Sequence, residues 1–580
     1  MKYLLEQLKK YRLECILAPL FKMLEAFFDL FVPIVVANII NKGIQNQDKN
    51  YIFANCGILV LLALIGLLCS FTAQFFAAKA AVGCSAGIRA KLFAHIQQFG
   101  FSEIDTMGTS TLITRMTSDI NQIQNGVNLF LRLFLRSPFI VFGAMIMAFT
   151  IDFKAAIVLC VAIPVLFIIV FGFMRLTSPL YKKIQSKVDN VVGITRENLT
   201  GVRVIRAFGK ENDEIKRFED ANDELLDMQT SVGRISGLLN PLTYVVVNLG
   251  IIAILNTGAI SVNTGTLLSG DVVALINYMS QILVELVKMA NVIMVMSKAL
   301  ASLSRVGSVI DTDCKMEYSE KTDDKCDNNL DEIVGSDEIV RFENVSLKYE
   351  GAGDESISDV NFTVKKGQTI GIIGGTGSGK STLVNLIPRF YDATKGEIFI
   401  KGKNIRTWTK DELNSYVGIV MQKAQLFAGT IRSNLLLGNN NATDEQLWKA
   451  LEMAQAAEFV KSKPLGLDEK VEQGGRNFSG GQKQRISIAR TLVKNAEILI
   501  LDDSSSALDN VTDAALRKAL NSLTDTTVFI VSQRASSLKH AEQIIVLDDG
   551  KIIDIGTNDE LLSRCEVYTE IYESQFKKEV

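Results

Sequence analysis

Thr369-Ile370-Gly371-Ile372-Ile373 runs directly into Gly374-Gly375-Thr376-Gly377-Ser378-Gly379-Lys380-Ser381, and Thr382-Leu383-Val384 follow. The first five residues read as an apolar strand, the next eight fit the spacing GxxxxGKS, and the residues from Ser381 onward open a helix. Glycines let successive backbone N–H groups turn inward around phosphate oxygens, and the start of a helix adds its positive end. Lys380 would neutralise the outer phosphates, and Ser381 can ligate Mg2+. A Gly-rich loop can also be a plain turn. Here the strand before it and the helix after it supply the context that a true phosphate loop requires.

From Glu338 onward, short β-rich runs alternate with helical ones: Glu338–Phe342, Thr369–Ile373, Ile498–Leu501, Thr527–Val531 and Gln543–Leu547. This order predicts an α/β domain with a largely parallel sheet. Ile498-Leu499-Ile500-Leu501-Asp502-Asp503 is a buried-strand pattern ending in two acids. Alternate residues face opposite ways, so one of the two acids, Asp502 or Asp503, can reach Mg2+ or its water. Between these segments lies Asn477-Phe478-Ser479-Gly480-Gly481-Gln482-Lys483-Gln484-Arg485, a small-residue turn that opens a second helix and a second place for an anion. One nucleotide does not need two phosphate-binding helix starts from one chain.

The first half is different in kind. Hydrophobic residues make up 48% of the 580 and charged residues 22%, which excludes a disordered or fibrous chain. Of the 31 Phe, 22 precede residue 338. Tyr51–Ala78, Ala155–Met174 and Ile235–Gly270 contain no charge, the last ending in a polar stretch that suits an outer loop. Ile16–Ile40 is interrupted by Lys22, Glu25 and Asp29, Leu129–Ile151 by Arg132 and Arg136, and Val272–Leu300 by Glu285, Lys288 and Lys298. Each is about long enough to cross hydrocarbon, which predicts six spans. The first is too long and acidic for a cleaved signal sequence. Lys2, Lys9, Lys10 and Arg12 place the N-terminus in the cytosol. The inner connections, 79–128 and 175–234, read as helical continuations of the spans. Residues 311–337 hold ten acids, three Lys and two Cys without apolar period, an acidic linker between domains at 1–310 and 338–580. A net charge of −3 gives no argument for nucleic acid as a partner, and eight Cys without a CxxC pair suit reduced thiols.

Taken together these residues resemble the ATP-binding cassette (ABC) family across the whole chain. The phosphate loop, the signature-like Phe478-Ser479-Gly480-Gly481-Gln482, Ile498–Asp503, and Ser506-Ala507-Leu508-Asp509 occur in that family's order. The resemblance implies an α-helical membrane domain of six transmembrane helices of the type I / type IV exporter kind, followed by an α/β P-loop nucleotide-binding domain, with ATP and Mg2+ as cofactors. In that family two cassettes close head to tail, so Ser479, Gly480, Gly481, Gln482 and Asp509 would serve ATP on a partner's loop. Tyr349 matches the aromatic that stacks on adenine, although a lone Tyr more often packs in a core. Gln422 matches the glutamine that touches Mg2+ and contacts the membrane domain. Coupling helices are expected near Phe101–Thr114 and Ala207–Ala221.

Two departures bear on mechanism. The family's general base is a Glu after the metal-binding Asp, whereas this chain has Asp503, whose shorter side chain sits farther from the attacking water. The family's His on the γ-phosphate falls at Gln533, which cannot carry a positive charge. His540 is seven residues on, and Gln473 stands where homodimeric exporters usually have Glu. The chain therefore resembles the degenerate-site half of a bacterial heterodimeric exporter in the plasma membrane, its retained ATP a hinge between cassettes. A homodimeric exporter with slow hydrolysis and a nucleotide-sensing regulatory subunit are the alternatives. Substrates would be amphipathic molecules such as drugs, dyes, lipids, peptides or porphyrins, with membrane lipid as surroundings. Glu25 and Asp29, with Lys22 one turn away, and Glu285 with Lys288 either satisfy one another within their helices or line the route. Phe27, Phe28, Phe31, Met145, Met147, Met294 and Met296 suit an adaptable apolar site or plain packing.

Overall fold

The computed structural model describes residues 1–314, 316, 318 and 337–576; most of the acidic linker expected at 311–337 lies outside the described residues. The chain divides into two compact units, one of Met1–Gln97 with Ser110–Thr312, the other of Gln98–Thr109 with Asp313–Val580. The second unit therefore takes in a short segment that the division at residue 310 assigned to the first.

In the first unit six helical segments are long and apolar enough to cross a membrane: Lys2–Ile44, Lys49–Ile96, Thr109–Ile151, Phe153–Ala207, Glu211–Asn263 and Ser269–Ile310. Spans one and two are joined by residues 45–48, spans three and four by Asp152 alone, and spans five and six by residues 264–268. Helix six thus starts at Ser269, so Gly270, read from sequence as outer loop, is helical. Large apolar side chains such as Phe53, Leu68, Phe71 and Ile168 face outward, whereas Ala73, Ala77, Ala80, Ala144, Ala148, Ala155 and Ala156 are buried. Small residues let helix backbones approach where lipid gives no hydrophobic drive to associate.

One close approach joins spans one and six. The Gly270 N–H donates to Asn41 Oδ1 at 2.7 Å, and Asn41 Nδ2 donates to Asp271 Oδ1 at 3.0 Å. Lower down, the buried Tyr278 hydroxyl donates to the Leu30 carbonyl at 2.6 Å. A Cβ on Gly270 would stand 2.4 Å from the Ala37 carbonyl oxygen. Only glycine fits there.

Among the described residues the second unit has twelve strands: β1 (Glu338–Leu347), β2 (Ile357–Lys365), β3 (Thr369–Gly374), β4 (Lys395–Ile400), β5 (Lys403–Asn404), β6 (Val417–Val420), β7 (Gly429–Thr430), β8 (Lys470–Val471), β9 (Ile498–Asp502), β10 (Thr527–Val531), β11 (Gln543–Asp548) and β12 (Lys551–Gly556). Six form one sheet in the order β12-β11-β3-β10-β9-β6, parallel except for β12. A separate antiparallel sheet, β2-β1-β4-β5, packs its apolar face into the same core, where Phe342 and Phe362 stack at 4.5 Å.

Helix Phe101–Met107 belongs to this unit. The Phe101 ring stacks on Phe390 at 4.4 Å, and the Tyr391 hydroxyl donates to Asp105 Oδ2 at 2.6 Å. The expected coupling stretch Phe101–Thr114 is divided at Gly108, whose φ of +75° ends this helix before the next begins. Ala207–Ala221, in the first unit, holds no helix of its own: it is the end of one long helix, a turn at Gly209 and the start of another.

The Gly270 contact makes a prediction. Thermal unfolding of the detergent-solubilised chain should show Gly270→Val destabilised by about 1–3 kcal/mol, the range for forcing atoms into a packed interface. Gly57→Val, at a position with open space around its Cβ, should leave the midpoint unchanged. Equal midpoints for the two variants would refute the close approach.

Candidate functional site

Strands β3, β10 and β9 lie side by side and parallel, with Val531 paired to both Ile372 and Asp502. Their C-terminal ends therefore reach one edge together, where open α/β sheets place their ligands. A cleft of about 500 Å³ lies there. Thr376, Gly377, Gly379, Lys380, Ser381 and Thr382 of the loop line it, joined by Gln422 after β6, Asp502 and Asp503 at the end of β9, and Gln533 after β10. Gly379 has a φ of +93°, and a Cβ on it would stand 2.8 Å from the Ser356 carbonyl oxygen, so the loop can take this path only as glycine.

Lys380 is buried, and its ammonium donates to the carbonyls of Gly374 at 2.9 Å and Gly375 at 2.6 Å and to Ser378 Oγ at 3.3 Å. The loop's own backbone thus holds this charge at the cleft. Desolvation pushes the Lys380 pKa down, while Asp503 and Asp502 pull it back up. Burial raises the Asp502 pKa, opposed by the hydrogen bond from Ser381 Oγ at 3.0 Å to Asp502 Oδ1. Gln422 Nε2 donates to Asp503 Oδ2 at 3.4 Å. Asp503 itself has a φ of +44°, and its N–H donates to the Val531 carbonyl at 3.1 Å, which fixes the turn out of β9.

A hydroxyl, a carboxylate and an amide oxygen are hard donors of the kind Mg2+ takes. Among the described residues no group of three or more His, Cys, Asp or Glu could cage a metal. Ser381, Asp502 and Gln422 therefore fit an ion that is completed by substrate phosphates rather than by protein alone.

The remaining expected residues lie elsewhere. Tyr349 does not line the cleft; it is half-buried, its hydroxyl donates to Thr382 Oγ1 at 3.1 Å, and Tyr391 meets its ring edge-on at 5.0 Å. Burial lifts the phenol pKa of Tyr349. Ser479, Gly480, Gly481 and Gln482 are also outside this cleft. Ser479 caps helix Gly480–Val493: its Oγ accepts from the Gln482 N–H at 3.3 Å, and Gln482 Oε1 accepts from the Ser479 N–H at 3.0 Å. Asp509 caps helix Asn510–Leu520, accepting from the Thr512 N–H at 2.7 Å, and that bond holds its carboxyl pKa down. His540 lines a different hollow beside Arg517 and Asn521.

Asp354, Glu355, Ser356, Asp549 and Gly550 also line the cleft, and sequence reasoning did not select them. Asp549 and Gly550 both have positive φ in the two-residue turn between β11 and β12. An Asp-Gly pair between apolar runs is a hairpin signal and was available.

In the first unit Glu285 pairs with Lys288 at 2.9 Å, and Lys22 with Glu25 at 2.6 Å, each within one helix. Neither set is closed on itself. Arg136 of span three reaches Glu285 at 2.8 Å and Asp29 at 3.0 Å. The Ser137 hydroxyl donates to the other Glu285 oxygen at 2.8 Å. Of the expected Phe and Met residues, Met294 lines a small apolar hollow, while Phe27 and Phe31 meet edge-on at 4.9 Å on span one.

Residues 15–286 match the family described as the ABC transporter transmembrane region, and residues 357–506 match the family described as ABC transporter. YfiB of Bacillus subtilis, an ABC transporter ATP-binding protein, is 35% identical over all of this chain and 99% of its own length. YgaD of the same organism, named as a candidate multidrug export ATP-binding/permease protein, is 33% identical over 100% of this chain and 98% of its own. The ATP-dependent lipid A-core flippase of Desulfotalea psychrophila is 32% identical over 84% of each chain. Among solved structures, a bacterial Atm1-family ABC exporter with ATP bound superimposes with a TM-score of 0.79 over 99% of both chains at 22% identity, a likeness of fold. With both of its parts matched and full-length relatives above 30% identity, the chain belongs to the ABC transporter family and has the exporter fold, six membrane helices and an ATP-binding unit in one polypeptide.

Proposed function

We propose that this chain is one subunit of an ATP-driven exporter of amphipathic molecules, working beside a different but homologous chain, and that the ATP site on its own phosphate loop turns over slowly. The observation that carries the reading is the pair Asp503 and Gln533, which line the same cleft as Lys380 and Ser381 at the positions where the family has Glu and His. The relatives named for multidrug export and for lipid A-core flipping support an amphipathic cargo. Lys2, Lys9, Lys10 and Arg12 ahead of span one support a cytosolic N-terminus, and the bacterial relatives support a bacterial plasma membrane.

Hydrolysis requires in-line attack of water on the γ-phosphorus, loss of the bond to the β–γ bridging oxygen, and a base to take the water's proton. Mg2+, when bound by Ser381, Asp502 and Gln422, neutralises charge on the phosphate oxygens. Lys380 binds and orients the phosphates. Asp503 is one methylene short of Glu, and its carboxylate is already engaged by Gln422. Gln533 donates a neutral hydrogen bond in place of a cationic one. Both changes slow the chemical step and leave binding in place. Ser479, Gly480, Gly481 and Gln482, with Asp509, complete the site on the partner, alternating access follows closure of the two cassettes, and Tyr349 faces adenine.

Two measurements test this. ATP turnover of the purified chain alone should be at least about 100-fold below that of the chain with its homologous partner, the scale of a lost general base. In the pair, Gln482→Ala should cause a comparable loss. Equal turnover alone would make this a homodimeric exporter with Asp503 a competent base. The converse experiment removes the general base of the partner chain. The double variant Asp503→Glu, Gln533→His should then recover about 100-fold of the lost turnover, while the wild-type sequence should recover none.

A further inference from the structure

Spans one, three and six line an open cavity of about 570 Å³ in the first unit. Its apolar lining is Val32, Pro33, Val36, Ile140 and Val284. Asp29, Arg136, Glu285 and Lys288 bring charge to it, and Asn277, Ser280 and Gln281 add neutral polar groups. The four charged groups cancel. Just behind them Lys22 and Glu25 also cancel, with Glu25 a further 3.8 Å neighbour of Arg136.

Glu285 is closed off: its side chain is 4% exposed and takes hydrogen bonds from Arg136, Ser137 and Lys288. Asp29 and Lys288 are not. Each holds one ionic partner, each side chain is 42% exposed, and both face the cavity. Gln281 Oε1 and Arg136 Nε make no hydrogen bond, but both atoms are sealed from solvent and so from anything the cavity holds. What the cavity offers a ligand is the exposed pair, an anion on one helix and a cation on another.

We propose that this cavity binds an amphipathic zwitterion, a molecule with a primary ammonium, a phosphate or carboxylate, and an apolar tail. The ammonium donates to Asp29. The anionic group accepts from Lys288. The tail lies against Val32, Val36, Ile140 and Val284. A ligand with a net charge would give up hydration for a wall whose charges sum to zero, and would leave one of the exposed groups without a counter-charge. The inference rests on the export reading only in treating this ligand as cargo.

The test uses three probes with one tail, dodecylphosphoethanolamine, dodecylamine and dodecyl phosphate, titrated into the full-length chain in amphipol without nucleotide. The zwitterion should bind about tenfold tighter than either probe of a single charge sign. Asp29→Asn should weaken the zwitterion and the amine about tenfold and spare the phosphate. Lys288→Gln, which leaves Arg136 and Ser137 on Glu285, should weaken the zwitterion and the phosphate and spare the amine. It carries the test alone if Asp29→Asn fails to fold. Equal binding of the three probes, or affinities that neither variant changes, overturns the proposal. Preferred binding of the zwitterion without ATP-driven movement in vesicles holding both chains would uphold the site and refute export. ATP-driven movement of other amphiphiles with no headgroup preference would do the reverse.

Discussion

Hydrocarbon gives neither a bare amide nor a lone charge anything to bind. Nearly every feature of the first unit answers that condition. Its backbone closes its hydrogen bonds inside six helices, the connections between spans on one side shrink to as little as Asp152, and the charged side chains meet one another. Arg136 is the centre of that settlement, drawing carboxylates from spans one and six to a single guanidinium. Removing one member of such a buried set costs about 3–5 kcal/mol, because the others are left uncompensated. The ionic groups thereby fix which faces of three helices meet. The apolar contacts of Ala144, Ala148 and Ala156 supply closeness but little choice of register.

The second unit meets a different condition, to hold several phosphate-seeking groups at one point without collapsing them onto each other. Parallel strands do this by ending together. Gly374, Asp502 and Val531 close three adjacent strands; Asp503 and Gln533 follow within two residues, and the loop after Gly374 brings Lys380 and Ser381 back to the same edge. Lys380 is kept in place by carbonyl oxygens and not by a carboxylate, while Asp502 takes a hydroxyl from Ser381. Opposite charges share the cleft, and neither cancels the other through a direct salt bridge.

The sequence was most legible where one chain segment determines its own structure. The phosphate loop carries its strand, its glycines and its helix within sixteen consecutive residues, from Thr369 to Val384, and the spans declare themselves through unbroken apolar runs. It was least legible where distant segments meet. Arg136 looked like an interruption near the start of span three, because nothing local reveals that Glu285 lies 149 positions away and 2.8 Å off. The sheet β2-β1-β4-β5 was missed beyond its first strand: β5 is two residues long, and β4 pairs with β1 at a distance in sequence, Val340 with Ile400. Ser479 was read in a turn that opens a helix, but neither it nor Asp509 was read as a cap. In the structure each also holds a helix start, and the residue type preferred for one task suits the other.

Helix Phe101–Met107 has a bearing on how this protein can be handled in pieces. It lies in sequence between spans two and three, yet it packs with the second unit through the Phe101–Phe390 stack and the Asp105–Tyr391 hydrogen bond. No single cut in the chain frees a complete nucleotide unit. A recombinant fragment beginning after residue 337 would carry Phe390 without the ring that covers it and Tyr391 without its acceptor. Such a fragment invites aggregation through that bare aromatic surface. The natural remedy is a twelve-residue peptide, Gln98–Thr109, supplied in trans or grafted through a linker.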